Sequence, residues 1–100
     1  MPRTQLDQST EVIEKLQEPD RYKVILLNDD FTTQDFVINV LQTIFHKSFE
    51  ESLNLMLQIH NSGKGMCGIY PYDIAETKVV EVRKMAKEKQ FPLRAILEKI

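Results

Sequence analysis

Asn28, Asp29 and Asp30 stand side by side, with Thr32 two positions further on, and no Lys or Arg lies between Val24 and His46. One amide oxygen and two carboxylates offer only acceptors on their oxygens and carry net negative charge. That set can replace water around a cation with several N–H donors. The same residue types also shape turns, and threonine caps helices, so on general grounds the cluster reads first as the connection between a strand and a helix. Further along, Met56, Ile59 and His60 fall at i, i+3 and i+4 and share one side of a helix. Taken singly, Met56 and Ile59 read as core and His60 as an exposed helix-end residue.

Other chemistry lacks its spacing. Cys67 with His46 or His60 is the one thiol and imidazole combination, but Cys67 falls inside a predicted strand, where a small buried hydrophobe is expected. Gly63, Gly65 and Gly68 lead into that strand instead of opening a helix, so Lys64 completes no phosphate-binding loop. Asp29, Asp30, Asp73 and the two histidines show no close ligand spacing on a single element, and neither a metal nor a cofactor is expected. Catalysis is therefore not the expected activity.

One hundred residues is one domain's worth of chain. The content of 42% hydrophobic and 28% charged residues suits a globular domain, and no apolar run is long enough to cross a bilayer. A net charge of -2 offers no general attraction to nucleic acid. The single cysteine cannot form an internal disulfide, and the first residues lack the basic and apolar parts of a secretory leader. A reducing, cytoplasmic setting is the expectation.

The elements that must position these side chains follow from periodicity. Residues 1–21 carry three basic and five acidic side chains and few large apolar ones, and read as a flexible extension. Residues 22–100 carry ten of each and read as the folded domain. Tyr22–Leu27 is a short aliphatic run that predicts a largely buried strand, closed by Asn28-Asp29-Asp30. Thr32 to Asp35 has capping-box spacing and predicts a helix with Phe36, Val37, Val40, Leu41, Ile44 and Phe45 on one face. Ser48 to Glu51 opens a second helix in the same way, ended by Gly63.

That second helix has an apolar arc spanning Leu53, Leu55, Met56, Leu57, Ile59 and His60, wider than one sheet face requires. Met66–Tyr70 predicts a strand, Asp73–Lys89 a long helix buried along Ala75, Val79, Val82 and Ala86, and Leu93–Leu97 a last strand. The order β-α-α-β-α-β predicts an α+β fold, an open sandwich. It has a three-stranded, mostly antiparallel sheet with three helices packed on one face.

Three motifs in one order carry a resemblance: Tyr22 to Thr32, Leu55 to His60 followed by Gly63-Lys64-Gly65, and Ala75 to Val79. With the Phe91-Pro92-Leu93 and Leu97-Glu98-Lys99 ending, the chain from Tyr22 onward closely resembles the bacterial Clp protease adaptor family ClpS. The resemblance implies a non-enzymatic, monomeric, cytoplasmic adaptor. Such an adaptor binds proteins that begin with Leu, Phe, Tyr or Trp and delivers them to a Clp AAA+ unfoldase and its peptidase.

By the same resemblance, Asn28, Asp29 or Asp30, and His60 receive the α-ammonium and first peptide group, Asp30 being the first choice among the carboxylates. Thr32, Val37, Met56, Ile59 and Leu93 correspond to the wall of the side-chain pocket, with Gln34 at its mouth. Gln34 departs from the pattern: the family often has Met there, guarding against β-branched side chains, and glutamine is similar in length but polar. Asp73, Thr77 and Lys78 would face the unfoldase's N-terminal domain, and residues 1–21 would serve in handing substrate over. The rival class is a structural or ribosome-associated interaction domain with no ammonium pocket.

Overall fold

The computed structural model describes residues 20–100. Six elements follow in the expected order: β1 (Arg21–Leu27), α1 (Gln34–Thr43), α2 (Phe49–Ser62), β2 (Lys64–Pro71), α3 (Tyr72–Lys89) and β3 (Arg94–Lys99). The extension expected over residues 1–21 lies, up to Pro19, outside the described residues, and Arg21 already belongs to β1.

β1 is central, with sheet order β2-β1-β3 and both pairings antiparallel. This explains why its sequence reads as a nearly continuous apolar run: Val24 and Leu26 are fully buried beneath the helices, and Ile25 on the opposite face is closed in by its neighbours Met66 and Ile96. The register shifts between Val24 and Ile25, leaving Cys67 as an extra residue on β2 and bending that strand. β2 is longer at both ends than Met66–Tyr70. β3 lies one residue later than expected at its start and two at its end, because pairing with β1 from Leu27 back to Tyr22 sets its limits.

The helix starts follow side-chain caps. At α1 the expected box beginning at Thr32 gives way to a cap one residue later: the Thr33 hydroxyl accepts from the Phe36 N–H at 3.2 Å, and Thr32 turns back toward Asp29. At α2 the box forms as expected. Ser48 Oγ accepts from Glu51 N at 3.1 Å, Glu51 Oε1 accepts from Ser48 N at 3.0 Å, and Gly63 closes the helix with φ 91°. α3 ends at Gln90, which takes the left-handed conformation (φ 61°) where no glycine is available to signal the stop.

α2 lies close on β2 because Gly65 has no side chain. A Cβ there would stand 2.7 Å from Ile59 Cγ1 and 2.9 Å from Leu55 Cδ1, well inside van der Waals contact. Gly65→Ala is therefore expected to force the helix away and to cost about 1–3 kcal/mol of stability. Urea unfolding measures this, and a variant as stable as the parent would contradict the packing.

Candidate functional site

The end of β1 and the end of α2 are joined by a backbone hydrogen bond, Asn28 N–H to the Gly63 carbonyl at 2.9 Å. This bond brings the acidic loop alongside the last turn of α2. Between them opens a cavity of about 200 Å³ lined by Asn28, Asp29, Asp30, Thr32, Gln34, Val37, Met56, Ile59 and His60. Its depth is apolar: Val37 on α1 and Met56 and Ile59 on α2 are all buried in the core cluster. Its rim is polar, with Asn28, Asp30, Gln34 and His60 exposed. The volume accommodates an aromatic ring, since an enclosed apolar cavity of about 150 Å³ binds benzene.

The two carboxylates of the loop differ in role. Asp29 Oδ1 accepts from the N–H groups of Phe31 at 2.8 Å and Thr32 at 2.7 Å, and its Oδ2 accepts from the Thr32 hydroxyl at 2.7 Å. Partial burial pushes the Asp29 carboxyl up, but these bonds outweigh it and hold the group below the usual carboxylate range. A carboxyl depressed in this way stabilises the fold above its unfolded pKa and loses that contribution as pH falls through its folded pKa. The turn therefore weakens only in acid. Asp29 is committed to shaping the loop.

Among the described residues, the side chains of Asn28, Asp30 and His60 make no hydrogen bond or ion pair within the protein. They remain available to a ligand, and Asp30 supplies the uncommitted negative charge at the rim. The turn-shaping reading of the cluster thus falls to Asp29, and a cation-binding reading is left to its neighbours Asn28 and Asp30.

Nine of the ten residues expected at the site line this one cavity. Leu93 does not. It is buried at the entry to β3 and lines a separate, open groove with Arg83, Ala86, Lys87, Gln90, Phe91 and Pro92. Of the three residues expected at a partner surface, Asp73 and Thr77 are exposed on the first turns of α3, Thr77 donating to the Asp73 carbonyl at 2.9 Å. Lys78 turns inward: its Nζ donates to the Ile44 carbonyl at 2.7 Å and lies 5.8 Å from the centre of the Tyr70 ring. It caps the C-terminal end of α1, where a cation meets unpaired carbonyls. No local signal marks this contact, which links residues 34 positions apart.

Cys67 is buried, with its Sγ 3.7 Å from the Gly65 carbonyl, and burial pushes the thiol up to about 12. At pH 8 only about one molecule in 10⁴ would hold a thiolate. Iodoacetamide should leave the folded protein unlabelled at that pH and label it once denaturant opens the core; labelling of the folded chain at the rate of a free thiol would contradict this. Among the described residues no group of three or more His, Cys, Asp or Glu side chains is placed to hold a metal, and no helix is long and apolar enough to cross a membrane.

Residues 17–96 match the family model described as ATP-dependent Clp protease adaptor protein ClpS. The chain is 61% identical over 94 residues to the ATP-dependent Clp protease adapter protein ClpS of Wolinella succinogenes, covering 92% of each chain. It is 53% identical over 81 residues to the protein of that name from Acetivibrio thermocellus, covering 81% of this chain and 82% of that one. The fold is similar to the structure of Agrobacterium tumefaciens ClpS2 bound to L-phenylalaninamide, with a TM-score of 0.81 and 38% identity over 83% of this chain and 100% of the other.

Proposed function

Because the chain belongs to the ClpS family of Clp protease adaptors, which are not enzymes, we propose that its cavity receives the first residue of a protein marked for degradation. That residue is Leu, Phe, Tyr or Trp with a free α-amino group. The observation that carries the reading is the joining of an apolar depth (Val37, Met56, Ile59) to a rim whose Asn28, Asp30 and His60 have no hydrogen-bond or ion-pair partner among the described residues. L-phenylalaninamide, the molecule on the Agrobacterium relative, combines a benzyl side chain with an α-amino group. Those are the two features that depth and rim would separately satisfy.

The magnitudes require both halves. Hydrogen bonds to a charged group contribute about 1.5–3 kcal/mol each. Burying a Leu or Phe side chain contributes a further ~1.5–3 kcal/mol. Micromolar affinity needs about 8 kcal/mol after the cost of association, so neither half suffices alone. A bulky side chain inside a protein has no free ammonium, and an N-terminal Gly or Ser has no side chain to bury. Asp29 fixes the turn from which Asp30 is presented, while Asp73 and Thr77 give α3 an exposed face for the N-terminal domain of a Clp unfoldase. The adaptor would act in the bacterial cytoplasm.

Isothermal titration with peptides that differ only in their first residue tests this. Phe- and Leu-initiated peptides should bind and Gly- or Ser-initiated ones should not. Binding should decline as pH rises past about 8, where a free α-amino group loses its proton. Affinity independent of the first residue would favour the rival interaction domain with no ammonium pocket.

A further inference from the structure

Among the described residues, Phe31 is the most exposed large hydrophobic side chain, at 77% relative accessibility. It has no part in the core cluster. Yet it is not loosely held: its own N–H and that of Thr32 both bond Asp29 Oδ1, and the Thr32 hydroxyl bonds Oδ2, so the backbone on either side of the ring is fixed. Its chain neighbours Asp30 and Thr32 both line the cavity. The rim side chains, Asn28, Asp30, Gln34 and His60, are polar. Phe31 thus places an exposed aromatic ring in the loop between two cavity-lining residues, outside the core cluster.

Given that the cavity takes a first residue, as proposed above, the second must leave across this rim. In an extended peptide, successive side chains point to opposite sides and successive Cα atoms lie about 3.8 Å apart. With the first side chain directed into the cavity, the second points away from its floor. Only a group that rises above the rim can meet it. We infer that Phe31 is a specificity-determining residue for the second position of the bound protein, packing against a large apolar or aromatic side chain there.

The ring adds nothing to the ammonium site or to the depth of the cavity, so its signature is a ratio between ligands and not a general loss of affinity. An exposed aromatic contact corresponds to a preference of about two- to tenfold.

Fluorescence anisotropy with two labelled peptides, identical except that one begins Phe-Leu and the other Phe-Gly, provides the test on the full chain. The parent protein should prefer Phe-Leu by about two- to tenfold. Phe31→Ser should bring the ratio close to one, and Phe31→Tyr should retain it, with thermal melts establishing that both variants fold. A preference that survives in Phe31→Ser, or that is lacking in the parent while both peptides bind, overturns the role of Phe31 and leaves the first-residue reading intact. Failure of the parent to bind either peptide overturns that reading and the role of Phe31 with it.

Discussion

Acetylating the α-amino group of a Phe- or Leu-initiated peptide should reduce its binding by at least about a hundredfold, the equivalent of losing two charge-assisted hydrogen bonds. The acetyl group removes the positive charge, two of the three N–H donors and the space they occupied. Asp30 would then be covered by ligand with no cation to compensate for its lost water, a cost that adds to the missing bonds. The apolar half of the contact is untouched, so an acetylated peptide separates the two contributions with no change to the protein. Anisotropy at pH 7 measures it. An acetylated Leu peptide that binds as well as the free one would refute ammonium recognition at this rim.

Met56→Ala should have the second large effect, and it acts on fold and selectivity together. Met56 is 4% exposed and belongs both to the core cluster and to the lining of the cavity. Truncation is expected to cost about 2–5 kcal/mol, a large part of a typical domain stability of about 5–15 kcal/mol. The space released joins the existing cavity, so the variant should accept a wider range of first residues. Urea unfolding reports the first consequence and a panel of peptides differing in the first residue reports the second. Selectivity identical to the parent's would remove Met56 from the pocket wall, whatever happens to stability.

Much of this was legible in the chain because it depends on neighbours. Ser48 and Glu51 cap a helix through groups three residues apart, Gly63 supplies the left-handed residue that ends it, and the periodicity of the helix from Phe49 to Ser62 marks which side is buried. The acceptor-rich triplet Asn28-Asp29-Asp30 is evident from composition alone. Its division of labour is not: Asp29 and Asp30 are the same residue type in adjacent positions, and only the turn geometry turns one carboxylate onto Thr32 and leaves the other at the rim.

Lys78 and Leu93 mark the same boundary. A lysine on an amphipathic helix carries no sign that a carbonyl 34 residues away will claim its ammonium. Leu93 is apolar enough for either of two hollows, and the path of the chain into β3 places it at the second. Local sequence determined the elements, their order, the buried faces and the residue types available for binding a cation beside an apolar group, because capping, turns and periodicity are interactions within a few residues. Tertiary structure decided which of those groups converge on one cavity and which are consumed in holding the molecule together. Convergence depends on the approach of α2 to β1, held by Gly65 packing and the Asn28–Gly63 bond, and such long-range contacts leave no trace in local spacing.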